Sequence, residues 1–598
     1  MSEQEKRLMP QHLKWALSTV SGCLNGAAFI FYGPLALIAN LPLLIALRYA
    51  TSWGEALSLG AWVGFLGGIH IFGVLNYGWW IFWAFSFYTA SQMILFSAVL
   101  YGFRVYFQPK VSFGLGLLYE LLTPAVIWTL TEWLRTVGPV ALPASYVGCI
   151  ADIEWLNPLL AWASVLGGLG VSALIALIPA SLWLLFSPSD LPAGLLAEIQ
   201  NPQDEEKDTR TTRQSSMRSS RTEDDSEDEK DFAQLKILRL KAIRSLSGLL
   251  GLLIIGVLYG WAYWAPLSTD GDDLRVAGLQ GGFTNEIYHA SEADPLLSVD
   301  IIETYENLLQ EAKTKEVDLI VWGESAIRVP VINTPELRQR LLPQSKKEPW
   351  LIGGLAHTDP DGKSYNLAFS AHDQRVIGRY AKVKTVPGVE AKFTAGKEWT
   401  PLPTEWGAVG ILICFESIYP HAGRALAQAG ARLLIVLSND AGFGESPISH
   451  HMTNRAIVRA VETGRWLLRV GQAGVTTLID PQGKKHGTLG LFQSGILYGT
   501  AKLRGGVTPF VRIGVSWLWG FLCFLLIPWL VLMIPKVVDL YQTRELLWSR
   551  VSNHLSQQPK LQLVITNITK LINTLKKHLS SSKQSSEDED PPEDDPFQ

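Results

Sequence analysis

The stretch VGILICFES, residues 409–417, decides how the soluble part of this chain folds. From Val409 to Ile413 no side chain is polar, so neither face of a strand here is built for water. Such uninterrupted runs belong to strands covered on both sides. DLIVW (318–322) and LLIVL (433–437) have the same character. Further strands are expected at LRVAGLQGG (274–282), WLIGGLA (350–356), YNLAFSA (365–371), VIGRYAKV (376–383) and VTTLIDPQG (475–483). Helical stretches fall between them, at about 295–314, 335–343, 421–429 and 449–464. Alternating strands and helices of this kind predict a layered α/β domain over 270–505. No internal repeat is visible.

On either side of that domain the composition changes. The 598-residue chain is 48% hydrophobic and 18% charged, with 22 Trp, and its apolar residues lie in long runs. About eight membrane spans are expected. Two lie in 15–48, broken near Tyr32-Gly33-Pro34, and the others cover 57–77, 79–102, 113–131, 157–187, 246–265 and 514–534. Each approaches the ~20 residues that cross a bilayer as a helix. The first run reads as a retained span without a clear cleavage site.

The expected organisation is thus six spans in 1–200, a charged cytoplasmic loop over 201–235, and a seventh span at 246–266. The α/β domain follows over 270–505, then an eighth span at 513–535 and a tail over 536–598. The loop and the end of the tail are rich in charge and poor in apolar residues, so both are expected to be disordered. The net charge of −4 reflects these acidic tracts and points to no nucleic-acid partner.

With the N-terminus placed in the cytoplasm, the inside segments carry Lys6, Arg7, Lys14, Arg48, Arg104, Lys110, Lys236, Arg239, Lys241, Arg244, Lys536 and Arg544. The short outside loops carry only Arg135. The positive-inside rule then puts the α/β domain outside the cytoplasm and both termini inside. Cys23, Cys149, Cys414 and Cys523 form no disulfide framework.

Three strands end in groups suited to acyl chemistry: Glu324 after LIVWGES, Lys382 in RYAKVKTVPGVE, and Cys414 in ILICFES. A cysteine nucleophile needs help, because a free thiol is only slightly ionised near neutral pH. A carboxylate can take its proton and an ammonium can hold a developing oxyanion. Each residue alone has an ordinary reading. A cysteine in an apolar strand is usually a small buried hydrophobe. A Glu at a strand end is often an edge residue or helix cap. A Lys in YAKVK is usually solvated, with Lys384 as competitor.

The order and context WGESA, YAKVKTVPGVE and CFES resemble the Glu-Lys-Cys signatures of the nitrilase superfamily. With spans on both sides, the chain resembles the membrane-embedded apolipoprotein N-acyltransferase branch. TEWLR (131–135), GLGVSALI (168–175), LSNDAGFG (437–444), RAVETGRWLLR (459–469) and GVTPFVRIG (506–514) add to that resemblance, which covers roughly 15–187 and 246–535.

The resemblance implies an αββα sandwich on a polytopic helical membrane domain. It implies Glu324 as general base, Lys382 as oxyanion holder and Cys414 as the acyl-carrying nucleophile. Glu390 matches an active-site loop glutamate, and Phe415 and Glu416 the two positions after the nucleophile. It implies an acyl chain passed from a phospholipid, through a Cys thioester, to the N-terminal amine of a diacylglyceryl-cysteine lipoprotein. It implies no cofactor or metal, a monomer, and a bacterial inner-membrane enzyme with a periplasmic catalytic domain.

The sequence departs from the family at Lys384 and Thr385, where His and Leu are common, and at Gly442, where the family has Trp. An early aromatic is met only near Tyr288 or His289; GQAG (471–474) replaces an Asn-rich turn; Val515 stands where Asp is common. These departures bear on substrate recognition. They keep open a membrane-tethered amidase or nitrilase that passes the acyl group to water, and transfer to a different amine. A scaffold built on a decayed domain is the third alternative, opposed by the intact Glu324, Lys382 and Cys414.

Overall fold

A computed structural model describes residues 9–108, 111–137, 145–187, 223–386 and 389–527, together with Leu530 and Lys570. Residues 201–222 of the charged loop, and the tail over 536–598 apart from Lys570, lie outside the described residues. The chain divides into two units, Met1–Cys523 and Phe524–Gln598.

Among the described residues five helices are long and apolar enough to cross a membrane: Trp53–Tyr77, Trp79–Phe107, Phe113–Val137, Ala163–Phe186 and Asp231–Trp264. Eight spans were expected; the first two fall short, and the eighth lies partly outside the described residues. Helix Gln11–Ile30 has the length, but Ser18, Ser21 and Asn25 interrupt its apolar character. All three are buried, and two have partners in the protein. Ser21 Oγ donates to the Ala39 carbonyl at 2.7 Å, and Asn25 Nδ2 to Asn40 Oδ1 at 3.1 Å. The second element, Gly33–Arg48, is too short to span. It opens with a 3₁₀ turn at Gly33–Leu37 pressed against the neighbouring backbone, since a Cβ on Gly33 would lie 1.8 Å from the Cys149 carbonyl oxygen. Of the eighth, Leu518–Ile527 is a short apolar helix.

The seventh is longer than expected. It runs Glu223–Trp264, so 223–235 of the expected disordered loop are helical. Acidic residues suit a helix N-terminus.

The α/β domain consists of two six-stranded sheets. Its strands are β1 (Asp272–Gln280), β2 (Leu319–Trp322), β3 (Trp350–Thr358), β4 (Ser364–His372), β5 (Arg375–Ala381), β6 (Leu402–Thr404), β7 (Gly407–Ile413), β8 (Leu433–Ser438), β9 (Leu467–Gly471), β10 (Thr476–Ile479), β11 (Lys485–Leu489) and β12 (Gly495–Leu503). One sheet has the order β12-β1-β2-β3-β4-β5 and the other β11-β10-β9-β8-β7-β6. The centre of each is parallel: β1, β2 and β3 in one, β7, β8 and β9 in the other.

Glycines let the two sheets approach. A Cβ on Gly278 would meet Val470 and Thr476 side chains at 3.2 Å, and one on Gly323 the Gln472 nitrogen at 2.8 Å. On the outer face of the first sheet, helix Pro295–Lys313 buries Ile301, Tyr305 and Leu309 against Trp322 and Phe369. Helices Pro420–Gln428 and Pro447–Thr463 cover the second sheet. The domain is therefore the αββα sandwich. Every residue of β2 and β8, and the last five of β7, are buried, as their uninterrupted apolar runs require.

Candidate active site

The expected residues gather where the strands end. Glu324 follows β2 by two residues, Lys382 directly follows β5, and Cys414 directly follows β7. All three are buried, at 6%, 1% and 8% exposure. Two of the turns are strained: Cys414 has φ +50° and Ser325, next to Glu324, +44°. A non-glycine residue held in that region costs on the order of 1–3 kcal/mol, and such residues cluster at active sites. At Cys414 the turn ends the strand and starts the 3₁₀ segment Cys414–Ile418.

Lys382 lies between two carboxylates. Its Nζ donates to Glu324 Oε1 and to Glu390 Oε1, both at 2.9 Å. An ammonium has three N–H donors, so one remains. Asn366, in β4, runs parallel to this bridge: its Nδ2 donates to Glu324 Oε1 at 2.6 Å and to Glu390 Oε1 at 2.8 Å. The second oxygen of each carboxylate takes a backbone amide, Asn439 N–H for Glu324 at 3.1 Å and Val386 N–H for Glu390 at 2.7 Å. Lys384, the competing lysine, is exposed.

Glu416 lies in the turn that follows Cys414. It is fully buried, and its carboxylate ties the turn after β7 to the end of β5. Oε2 accepts from Ile413 N–H at 2.8 Å, Oε1 from Val383 N–H at 2.7 Å, and Tyr380 Oη donates to both oxygens at 2.7 and 2.8 Å. It fixes Cys414 relative to Lys382. The Phe415 ring packs edge-to-face on Tyr419.

Burial and charge set the protonation states. Burial pushes the Cys414 thiol well up, and the nearby Glu324 adds to this while Lys382 opposes it. Burial also raises the Glu324 carboxyl, against the pull of Lys382 and Asn366. For Lys382 burial works downward, but Glu324, Cys414 and Glu390 outweigh it and hold the ammonium charged. At rest the site holds a neutral thiol beside a cation and two carboxyls. The thiol must lose its proton as it attacks, which requires a base in place.

Asn366, Asn439 and the ion pair Asp440–Arg469 were not singled out from the sequence. Arg469 Nη2 lies 2.6 Å from Asp440 Oδ2, both fully buried, and this pair anchors the loop that carries Asn439. Among the departures, Tyr288 is buried and donates to the Ala326 carbonyl at 2.7 Å, supporting the turn after Glu324. Gln472 of GQAG is buried and accepts Gly282 N–H on its carbonyl at 2.8 Å. No group of three His, Cys, Asp or Glu among the described residues is arranged to hold a metal ion.

Residues 299–505 match the carbon-nitrogen hydrolase family. The matched residues include Glu324, Lys382 and Cys414. The particular relatives are apolipoprotein N-acyltransferases. One from Geobacter metallireducens is 32% identical over 275 residues, covering 42% of this chain and 52% of its own. One from Pseudomonas aeruginosa is 32% identical over 272 residues, covering 41% and 51%. The chain thus spans about half the length of the curated relatives it matches. Among solved structures, Saccharomyces cerevisiae Nit3, a nitrilase-superfamily member, is 19% identical with a TM-score of 0.32, over 41% of this chain and 95% of that one.

Proposed function

We propose that the protein is an N-acyltransferase. It moves an acyl chain from a phospholipid, through a thioester on Cys414, to the α-amine of a diacylglyceryl-cysteine lipoprotein. The observation that carries this reading is the cluster itself. A strained, buried cysteine stands with a base, an ammonium and a second carboxylate, in a chain that has, among the described residues, five helices long and apolar enough to cross a bilayer. The relatives' names supply the acceptor class.

In the first step Cys414 Sγ attacks the ester carbonyl carbon while Glu324 takes the thiol proton. The tetrahedral oxyanion meets the remaining N–H of Lys382 and the amide of Phe415. One such donor is worth roughly 10²–10³-fold. As the C–O bond breaks, the proton on Glu324 goes to the departing lysophospholipid oxygen. In the second step the lipoprotein amine attacks the thioester, its proton passes through Glu324 to the Cys414 sulfur, and the amide is released. Glu390 and Asn366 hold Lys382 and Glu324 in place. Both substrates are lipids, which gives a reason for seating the domain on membrane helices.

For orientation we propose both termini in the cytoplasm, the α/β domain on the periplasmic side of the inner membrane, and a monomer. Several cations assigned to the cytoplasmic side gather at one end of the helices. Lys14 Nζ donates to the Tyr49 carbonyl at 3.2 Å, Arg104 Nη2 to that of Ala50 at 2.7 Å, and Arg48 and Arg104 line one cavity with Glu120. Arg135, assigned outside, packs instead near Glu132 and Arg455.

The test is the intact mass of the purified protein after incubation with phospholipid vesicles, beside Cys414→Ser. A hydroxylamine-labile acyl mass on the wild type alone, discharged by a diacylglyceryl lipopeptide, is the expected result. Discharge to water alone would favour the amidase alternative. No adduct and no lysophospholipid would refute phospholipid as donor.

A further inference from the structure

The segment Gly68–Tyr77 is a 3₁₀ stretch that ends the helical run begun at Trp53. It lies along the loop that follows β8, and the two fit by glycines. A Cβ on Gly73 would stand 2.0 Å from Ser446 Oγ and 3.0 Å from Ile448 Cδ1. A Cβ on Gly442 would stand 2.0 Å from the Tyr77 hydroxyl oxygen and 2.7 Å from its Cζ. Asn76 Nδ2 donates to the Gly442 carbonyl at 3.2 Å, and the Tyr77 ring meets Phe443 edge-to-face at 5.5 Å.

Gly442 is not among the positive-φ residues. Its backbone would accept a side chain, and it is the phenol of Tyr77 that takes the room. Three residues earlier on the same loop, Asn439 N–H holds the catalytic carboxylate Glu324. The Tyr77 hydroxyl lies within electrostatic reach of Cys414, Asp440, Glu324 and Glu390. Yet Tyr77 is 38% exposed. Its hydroxyl lies against Gly442 on the loop that holds Glu324, and the residue is partly exposed, as the wall of a pocket is.

We infer that Tyr77, contributed from the membrane part of the chain and seated on Gly442, is a specificity-determining residue of the Cys414 site: it forms the wall that limits bulk beside the ester carbonyl of the acyl donor. This rests on the reading of Cys414 as the acyl-carrying nucleophile. A methyl group in a fitted pocket changes selection by ~10-fold or more.

The experiment offers the full-length protein equal amounts of dipalmitoyl and diphytanoyl phosphatidylethanolamine in mixed vesicles. Phytanoyl chains carry a methyl branch two carbons from the carbonyl, and the two adducts differ in mass. Wild type is expected to load palmitoyl preferentially. Tyr77→Ala removes the wall, and the preference should fall about 10-fold. Gly442→Ala displaces the phenol, whose exposed ring can turn aside, and should lower loading of both chains. Combining Tyr77→Ala with Gly442→Leu refills the space from the other side and should restore the preference, which a merely misfolded single variant would not do. An unchanged preference in Tyr77→Ala, with wild-type loading intact, overturns the inference and leaves the proposed function standing. A wild type that acquires no acyl mass from either donor overturns both.

Discussion

Asn366→Ala is the substitution whose outcome is best fixed by the geometry. The Oε1 atoms of Glu324 and Glu390 are both held by the same two groups, Lys382 Nζ at 2.9 Å and Asn366 Nδ2 at 2.6 and 2.8 Å. Removing the amide leaves two carboxylates around one ammonium. A hydrogen bond to a charged group contributes ~1.5–3 kcal/mol, and two are lost. Two unit charges about 5 Å apart at an effective dielectric of about 20 repel by about 3 kcal/mol. Relaxation and entering water recover part of this, so the loss reaching the transition state is about 2–3 kcal/mol, a fall of about 30- to 150-fold in acylation. The direction of the pH effect also follows. Burial already raises the Glu324 carboxyl and Asn366 opposes that rise. Without Asn366 the carboxyl rises further, more alkali is needed to free the base, and the acid limb of the rate profile moves to higher pH. Asn366→Asp, a third carboxyl without a donor, should fall further and move the limb more. The assay is single-turnover appearance of the acyl mass on Cys414 across the pH range. A rate within about 3-fold of wild type and an unmoved acid limb would refute the account of the cluster.

Two further substitutions test neighbouring parts of the structure. In Gly396→Ala the new Cβ would lie 2.2 Å from the Ala381 carbonyl oxygen, and Gly396 N–H itself donates to the Lys382 carbonyl at 2.7 Å. Overpacking there should cost ~1–3 kcal/mol and reduce acyl loading disproportionately, whereas Gly505→Ala, with nothing within 4 Å, should do neither in a thermal melt or the adduct assay. In the membrane part, Arg244 is 1% exposed and its guanidinium meets the Glu120 carboxylate through two bonds of 2.6 and 2.5 Å. Glu120→Ala should therefore destabilise the protein by ~3–5 kcal/mol, seen as a lower melting temperature in detergent, and the double variant with Arg244→Met should recover most of it.

What the sequence reading reached depended on whether a residue's environment is written in its own neighbours. β2, β7 and β8 were legible because strands covered on both faces are apolar throughout. β9 was not, because Arg469 interrupts LLRVG and a charged residue usually marks a wet face; here it is fully buried on Asp440. β11 was missed because it is a largely exposed edge; β12 alternates, with Leu497, Ala501 and Leu503 buried and Tyr498 and Thr500 exposed, but Gly495 and Gly499 interrupt its apolar face. Glu324, Lys382 and Cys414 were legible by order and spacing. Asn366 was not, although a buried amide near the start of YNLAFSA was a usable signal, because buried amides need partners. Glu416 was found by its place after Cys414, but its bonds to Tyr380 and to the Ile413 and Val383 amides, which tie it into the fold, are not written in its sequence neighbours. In the membrane part the first expected span carries polar residues that find partners within the protein, Ser21 on Ala39 and Asn25 on Asn40.

The same reasoning shows why the α/β domain and the helices beside it are one structure. Helix Ala163–Phe186 is broken at Gly167, where φ is +72° and a Cβ would strike the Phe510 ring at 2.5 Å. A break frees backbone amides, and a free amide away from water is costly. The amide of Gly168 is taken by Glu462 Oε1 at 2.7 Å, and that same oxygen accepts from Arg459 Nη2 at 3.1 Å. Glu462 and Arg459 belong to helix Pro447–Thr463, which begins just after the loop bearing Asn439. One turn earlier, Asn454 Nδ2 donates to the Gly148 carbonyl at 2.8 Å. Helix Pro447–Thr463 thus satisfies the irregular backbone of the membrane part, and the membrane part covers Arg459 and Glu462. Here Arg459 and Glu462 are at most 1% exposed, so their pairing and the geometry of the loop beside Cys414 are set together by both parts of the chain.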